Sequence, residues 1–259
     1  MADPSGLVVD GVRLTYETRR GPLTALDGLT FATAEGEFVS VLGPSGCGKS
    51  TLLRLISGLL PPSAGTIHLA GVKVHKPRPD VGMVFQQPTL LPWQTVRANV
   101  MMPVRALGLD VARYRPIADS LLRLVGLEKF ADSYPGELSG GMQQRVAVAR
   151  SLIHDPALLL MDEPFAALDA MTREGMMVEL QRIWAGTGKS VLFITHSIPE
   201  AVFLSDRIIV MSRRPGRVLE TIGVDLPRPR TLHTMADQAF VALADRLRET
   251  FRDQPGETR

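Results

Sequence analysis

A glycine-rich segment in the first quarter of the chain has the composition and spacing of a phosphate-binding loop. The residues Gly43-Pro-Ser-Gly-Cys-Gly-Lys-Ser50 fit the pattern G-x-x-x-x-G-K-[ST] without a gap. They follow an apolar run typical of a strand, Phe38–Leu42, and precede a segment of helical periodicity, Thr51–Gly58. Glycines let the backbone curl so that successive N–H groups point at phosphate oxygens, and a helix N-terminus adds partial positive charge. This order of elements predicts a site for a nucleoside triphosphate.

Residue types within this loop predict separate roles. Lys49 would place a point charge on the β- and γ-phosphates, and the Ser50 hydroxyl would be a Mg²⁺ ligand. Cys47 is the single cysteine, so an intrachain disulfide is excluded, and its small side chain suits a crowded loop. Thiol reagents are expected to inhibit by blocking phosphate access, unless ATP is bound first. The predicted nucleotide contacts here are Gly43, Pro44, Ser45, Gly46, Cys47, Gly48, Lys49, Ser50 and Thr51.

Two adjacent carboxylates further along the chain suit the same chemistry. The apolar run Ala157–Met161 predicts a buried parallel strand, and Asp162 and Glu163 follow at its carboxyl end, where open α/β sheets bind ligands. Asp162 is expected to hold Mg²⁺ directly or through water. Glu163 is expected to act as the general base that polarises the attacking water. A carboxylate pair at a strand end is by itself a solvated surface feature, but the phosphate-binding loop upstream favours hydrolysis.

A third segment, Leu138-Ser-Gly-Gly-Met-Gln-Gln-Arg145, has the form of a helix start. Ser139 is a natural N-cap, and Met142–Ile153 has a helical pattern. The two glycines between them would leave the first N–H groups bare, so that an anion can approach closely. This segment therefore predicts a second holder for the γ-phosphate.

These three motifs together resemble the ATP-binding cassette (ABC) family of ATPases, over nearly the whole chain from about Leu7 to Asp253. In that family the segment corresponding to Leu138–Arg145, called the signature, caps the ATP that lies on the phosphate-binding loop of another subunit. The resemblance therefore implies a head-to-tail dimer with a second copy of the chain. The signature residues that would contact the ATP of the partner are Ser139, Gly140, Gly141 and Gln143.

Four more positions resemble functional residues of the family. Tyr16 resembles the aromatic that stacks on adenine, and Gln86 the glutamine that senses Mg²⁺ and the attacking water. Asp169 lies in a segment that resembles the family's loop across the dimer interface, and His196 resembles the histidine that contacts the γ-phosphate. A lone Gln, His or Tyr is more often structural, but these occur in the expected order. The predicted catalytic residues are Lys49, Glu163 and His196, and the predicted Mg²⁺ ligands are Ser50, Gln86 and Asp162.

The order of elements predicts an α/β fold of the P-loop NTPase type. The resemblance adds a mainly parallel core sheet, an antiparallel β part and a helical subdomain. The whole chain, 1–259, is expected to be one cassette domain. Its predicted parts are a catalytic core at about 1–86 and 157–212, a helical subdomain at about 87–156, and a short C-terminal extension at 213–259. Amphipathic patterns predict helices at Ile117–Val125 and Gln238–Phe251.

Composition limits the classes of partner. The 259 residues are 45% hydrophobic and 22% charged with a net charge of +2, so charge gives no sign of nucleic-acid binding. Basic spots at Lys76–Arg78, Arg213–Arg217 and Arg228–Arg230 are interleaved with Pro and Gly and are expected to be solvated loops. Met1–Gly6 has no features of a secretory signal, and no apolar run reaches the ~20 residues that span a bilayer. We expect a peripheral protein on the cytoplasmic face of the cell membrane.

Further resemblance concerns the nitrate, sulfonate and taurine branch of bacterial importers, on the residues Thr89–Val96, Arg214–Arg217 and Leu226–Arg230. This implies transmembrane permease subunits as partners and, indirectly, a solute-binding protein. The stretch Leu90–Met102 is expected to line the groove for a permease helix. Its apolar docking candidates are Trp93, Val100, Met101 and Met102.

Two other functions share parts of this pattern. A soluble cassette ATPase of DNA repair or translation would use the same chemistry without transport. Such proteins usually carry two cassettes or a long coiled-coil arm, for which the interval from Ser50 to Leu138 is too short. A P-loop kinase with a small acceptor has no use for the Ser139-Gly-Gly helix start.

Overall fold

The computed structural model describes residues 6–252. The prediction that Met1–Gly6 has no features of a secretory signal therefore falls almost entirely outside the described residues. Within residues 6–252 the strands are β1 (Leu7–Thr18), β2 (Gly21–Ala32), β3 (Phe38–Leu42), β4 (Ala64–Leu69), β5 (Val72–Lys73), β6 (Val81–Val84), β7 (Leu158–Asp162), β8 (Ser190–Thr195), β9 (Arg207–Met211) and β10 (Val218–Gly223). The α-helices are α1 (Lys49–Ile56), α2 (Val96–Val100), α3 (Met102–Ala106), α4 (Val111–Leu124), α5 (Gly140–Leu152), α6 (Ala170–Thr187), α7 (Ile198–Leu204) and α8 (Gln238–Arg252). These elements form two compact units, one from the chain up to Arg78 and from Ser190 onward, the other Pro79–Lys189.

The first unit contains parallel and antiparallel β-structure. Strand β3, whose five side chains are all buried, pairs in parallel with β8 on one side and β9 on the other, and β10 pairs antiparallel with β9. A second, antiparallel sheet has the order β2-β1-β4-β5. In β1 the side chains of Val12 and Leu14 are buried and their neighbours are not, which is the alternation of a strand with one face on the core.

The second unit is mainly helical around a parallel strand pair. Strands β6 and β7 pair in parallel, and the largely buried helix α5 packs against β6, α2, α4 and α6. The helix predicted at Ile117–Val125 is the second part of α4, which begins earlier because Asp110 accepts a hydrogen bond from the Ala112 N–H and caps its N-terminus. The boundaries 87–156 predicted for a helical subdomain stay a prediction. Within the part of the chain that the structure describes, no helix is both long and apolar enough to cross a membrane.

A buried arginine ties the C-terminal segment to α7. Arg230 is 1% exposed, and its guanidinium donates to the carbonyl oxygens of Val202, Phe203 and Ser205 at 2.8–3.0 Å. The last carbonyls of a helix have no partner within the helix, and a guanidinium has five donors for them. Burial lowers the pKa of Arg230 to about 10, so that it is charged at neutral pH. The prediction that Arg228–Arg230 is a solvated loop is therefore wrong.

Replacing Arg230 should destabilise the folded chain. In Arg230→Met the buried carbonyls around α7 lose their donors, so we expect the free energy of unfolding to fall by about 3 kcal/mol or more. Arg248→Met is the matched control, because Arg248 lies on the exposed side of α8 and pairs with Asp245 only at the surface; its effect should stay within about 0.5 kcal/mol. Urea denaturation followed by circular dichroism measures both. Equal stability of the two variants would contradict the capping role of Arg230.

Candidate active site

The phosphate-binding loop lies between the end of β3 and the start of α1, as predicted. Its backbone depends on glycine at two positions, since Gly46 and Gly48 have φ of +78° and +105°. A Cβ on Gly48 would also lie 2.6 Å from the Leu26 side chain. The loop is therefore held in a curl that other residues would not adopt, ending at the N-terminus of α1.

Lys49 is folded back along the inside of this loop. Its side chain is 5% exposed, and Nζ donates to Gly43 O at 2.8 Å and to Pro44 O at 3.0 Å. Two carbonyls of the loop thus fix the position of the ammonium group. Ser50 is exposed on the first turn of α1, and Thr51 Oγ1 lies 3.3 Å from the Tyr16 hydroxyl. Tyr16 therefore lies beside the helix that the loop introduces.

His196 leaves the sheet at the same edge as the loop. Leu42, the last residue of β3, is in register with Thr195, the last residue of β8, so Gly43 and His196 follow at neighbouring strand ends. Both residues line a cavity of about 130 Å³, which is completed by Pro44, Ile198, Arg213 and Phe251. A second cavity, of about 320 Å³, is lined by Pro44, Ser45, Gly46, Arg213 and Arg214. The sequence alone did not connect Phe251 and the two arginines with this loop, because no local pattern links segments so far apart in the chain.

In the second unit, Gln86 and the two carboxylates lie at the ends of paired strands. Val84 of β6 is in register with Met161 of β7, so Phe85 and Asp162, the last residue of β7, lie at the same edge of the pair. Gln86 is exposed, and Asp162 and Glu163 are half-buried. Glu163 has a φ of +44°, a left-handed conformation that costs a non-glycine residue about 1–3 kcal/mol. A strained backbone at Glu163, which carries its carboxylate at the end of a strand, supports a functional role for this residue.

The signature segment begins α5 slightly earlier than predicted. Ser139 is the N-cap, and its Oγ accepts a hydrogen bond from the Met142 N–H at 3.3 Å. Gly140 is exposed, as a bare helix start requires. At Gly141 the prediction of a bare start is wrong, because this residue is buried and a Cβ there would lie 2.8 Å from the Thr172 methyl group. Gln143 donates from Nε2 to the carbonyl of Pro135 at 3.0 Å, which fixes its side chain against the preceding loop.

Asp169 is the N-cap of α6. Its Oδ1 accepts a hydrogen bond from the Thr172 N–H at 3.0 Å, and hydrogen bonding by Thr172 holds the pKa of this carboxyl below its usual value. Because Thr172 also contacts Gly141, the loop that carries Asp169 and the start of the signature helix lie side by side.

Buried polar side chains that we did not predict organise the segment after Gln86. Gln144 donates to Phe85 O at 3.3 Å, and Arg150 donates to Pro88 O at 2.7 Å and to Thr89 O at 2.9 Å. Asn99, which is fully buried, donates from Nδ2 to Leu91 O at 3.1 Å. The sequence does contain a sign of these contacts, because Gln144 and Arg150 lie among the apolar residues of α5. A polar side chain that is buried with such residues needs a hydrogen-bond partner.

The predicted docking stretch Leu90–Met102 is only partly exposed. Trp93 is 69% exposed and Met102 is half-buried. Val100 and Met101 are 0% and 4% exposed, so of the four docking candidates only Trp93 and Met102 offer surface to a partner. The reason is that α2 packs against α5.

Cys47 is expected to react slowly with thiol reagents. Its side chain is 1% exposed, and a Cβ on Gly43 would lie 2.9 Å from its Sγ, so the loop has room only for a small residue. Modification therefore requires the loop to open. We expect labelling by a maleimide to be slow in the folded chain, slower still with ATP, and fast in denaturant, as followed by mass spectrometry. Labelling in the folded chain at the denatured rate would contradict this packing.

Comparison with known proteins places the chain in a family. A family model described as ABC transporter matches residues 26–166. The chain is 50% identical to the taurine import ATP-binding protein TauB of Rhizobium johnstonii, over 86% of this chain and 85% of that protein. It is 45% identical to the nitrate import ATP-binding protein NrtD of Synechococcus elongatus, over 85% of this chain and 82% of that protein.

Solved structures lead to the same family. The chain is similar to a dimeric post-hydrolysis state of the ATP-binding cassette MJ0796 bound to ADP and Pi, with a TM-score of 0.72 and 34% identity over 85% of this chain and 100% of that one. It is also similar to cbiO1 of Clostridium perfringens, with a TM-score of 0.74 and 30% identity over 84% of this chain and 88% of that one. The predicted fold class and the predicted resemblance are confirmed. The chain belongs to the ABC transporter family, as an ATP-binding subunit with ATPase activity.

Proposed function

We propose that this subunit energises the import of a small anionic solute, of the sulfonate or nitrate type, through transmembrane permease subunits. The observation that carries this proposal is the close similarity, at 45–50% identity, to subunits named for taurine import and nitrate import. Relatives named for import favour transport over a soluble cassette ATPase. A solute-binding protein would deliver the solute to the permease, and the subunit would work at the cytoplasmic face of the membrane.

The chemistry that we propose is hydrolysis of ATP by an activated water. The backbone N–H groups of the loop from Gly43 to Gly48 bind the phosphates, and the Lys49 ammonium, already fixed by two loop carbonyls, neutralises charge on them. Glu163 takes the proton of the attacking water as general base, and His196 contacts the γ-phosphate. Tyr16, beside Thr51, supplies the ring on which adenine stacks.

The predicted Mg²⁺ ligands have the right donor chemistry. Magnesium prefers oxygen ligands and is usually bound through one or two carboxylates together with substrate phosphates. Ser50 offers an exposed hydroxyl, Gln86 an exposed amide oxygen and Asp162 a half-buried carboxylate. When bound, the ion would neutralise charge on the β- and γ-phosphates.

Two copies of the chain are proposed to share their nucleotides. The dimeric cassettes among the similar solved structures support association of two copies. In this arrangement the exposed Gly140 N–H and Ser139 of one copy contact the ATP of the other, and Gln143 holds the helix start in place through Pro135. Asp169, next to this helix start, would couple the two copies. Trp93, with its ring mostly exposed, is the principal apolar contact for a permease helix.

Uptake by the native host tests the solute class. We expect a strain without this gene to lose uptake of labelled taurine or nitrate and to keep uptake of labelled proline, and complementation with the wild-type gene to restore it. Complementation with the Glu163→Gln variant should not. Unchanged uptake of taurine and nitrate in the deletion strain, together with loss of uptake of a sugar or cation, would overturn the proposed solute class.

A further inference from the structure

The loop between β9 and β10, Ser212–Arg217, has a shape fixed by its own hydrogen bonds. The Ser212 N–H donates to Arg217 O at 2.9 Å, and Ser212 Oγ accepts from the Arg217 N–H at 2.9 Å. The Ser212 hydroxyl also lies 2.9 Å from Pro215 O. The two ends of the loop are therefore closed on each other, and Arg214, Pro215 and Gly216 project from a rigid base.

This loop is also fixed to β2. The Gly216 N–H donates to Ala25 O at 2.9 Å, and the Asp27 N–H donates to Gly216 O at 3.0 Å. The Arg217 guanidinium pairs with the Asp27 carboxylate, which Arg13 contacts as well. Because β2 and β9 are both strands of the same compact unit, the loop has little freedom to move away from them.

From this base, the loop contacts the phosphate-binding loop at two consecutive peptide groups. Arg214 donates from Nε and Nη2 to Gly46 O, at 3.2 and 3.1 Å. Gly216 packs so closely that a Cβ on it would lie 2.2 Å from Cys47 O. Arg214 and Gly216 thus restrain the carbonyls of Gly46 and Cys47. These carbonyls lie in the part of the phosphate-binding loop where Gly46 and Gly48 have positive φ.

A contact that fixes the direction of a carbonyl also fixes the direction of the N–H in the same peptide group. A peptide group is planar, so with Gly46 O directed at Arg214 the Cys47 N–H is directed the opposite way. Phosphate binding by a glycine-rich loop depends on such N–H groups pointing at the anion. The Cys47 N–H now lies 3.4 Å from Pro44 O, a long hydrogen bond that a charged phosphate oxygen would outcompete.

We propose that Arg214 and Gly216 are positioning residues for nucleotide binding, which hold the Gly46–Gly48 turn in its phosphate-binding form. This inference rests on the proposed role of the phosphate-binding loop and adds two residues to it. Arg214 acts through the loop backbone, and this loop holds the β-phosphate that ATP and ADP share. Loss of the Arg214 side chain therefore weakens the binding of both nucleotides. A guanidinium that instead touched the γ-phosphate would affect ATP alone.

The first test replaces Arg214. For Arg214→Met we expect three- to tenfold weaker binding of fluorescent ATP and ADP analogues, which corresponds to the net contribution of about one ordinary hydrogen bond, because the contact with Gly46 O is exposed to solvent. The turnover number at saturating ATP and the melting temperature should be unchanged. Arg214→Lys should restore most of the affinity, because an ammonium can reach the same carbonyl. Arg248→Met, which removes the same charge from exposed α8, should change nothing. Unchanged affinity of Arg214→Met, or a loss confined to ATP, would overturn the proposal.

The second test adds a methyl group at Gly216. In Gly216→Ala the Cβ cannot fit beside Cys47 O, so the phosphate-binding loop must shift, and nucleotide affinity should fall more than in Arg214→Met. Gly223→Ala is the matched control, since a Cβ there meets no atom within 4 Å. If Gly216→Ala does not fold, the Arg214 variants decide. If Lys49→Ala abolishes binding while Arg214→Met and Gly216→Ala bind normally, the positioning role alone is wrong; if Lys49→Ala binds normally, the proposed function of the loop is wrong.

Discussion

Glu163→Gln should bind ATP as well as the wild type and hydrolyse it about 10²–10⁴ times more slowly. The amide keeps the size of the carboxylate but cannot accept the proton of the attacking water, so the barrier rises by about 3–5 kcal/mol. The left-handed backbone at Glu163 sets the direction of the side chain, and glutamine can keep it. Release of phosphate under saturating ATP measures the effect.

The same variant should accumulate as an ATP-bound dimer if, as we propose, two copies share their nucleotides and hydrolysis lets them separate. Gel filtration with and without ATP detects this dimer. The matched control is Glu174→Gln, since Glu174 is an exposed carboxylate on α6; this variant should hydrolyse ATP normally and stay monomeric after turnover. Near-normal hydrolysis by Glu163→Gln would remove Glu163 from the role of general base.

Lys49→Ala should lose nucleotide binding and turnover together. In the proposed site the ammonium makes charge-assisted contacts with phosphate, and a loss of about 1.5–3 kcal/mol corresponds to roughly ten- to a hundredfold weaker binding. The substitution also frees the carbonyls of Gly43 and Pro44 that Nζ now holds, so the loop becomes less ordered. Titration with a fluorescent ATP analogue measures the affinity.

Thermal denaturation gives an independent reading of the same variant. A ligand that binds only the folded state raises its stability, so ATP should raise the melting temperature of the wild type and leave that of Lys49→Ala unchanged. Lys73→Ala is the control, because Lys73 is an exposed strand residue in the same compact unit. Wild-type affinity in Lys49→Ala would exclude this loop as the phosphate site.

Local features of this protein could be predicted because adjacent residues encode them. The curl at Gly46 and Gly48 requires positive φ, which a pattern of glycines indicates. The continuous apolar run of β3 indicates a strand that is buried on both faces. Ser139 and Asp169 cap the helices that follow them, through hydrogen bonds that span only three residues. Such interactions depend on chain neighbours, so a single sequence contains all that is needed to predict them.

Interactions between distant segments were decided by the tertiary structure alone. Arg214 is 168 residues from Gly46, and nothing in either segment identifies the other as its partner. The segment Arg228–Arg230 has the composition of a solvated loop. Arg230 is nevertheless buried, because the carbonyls at the end of α7 need its donors. Val100 is buried in α2, which packs against α5, and hydrophobic periodicity cannot distinguish such a buried face from a face offered to another protein. The sequence by itself determined the chemistry of the site and the elements that flank it. The tertiary structure decided which distant polar groups hold that chemistry in place, because those hydrogen bonds depend on how strands are paired and helices packed and not on any local pattern.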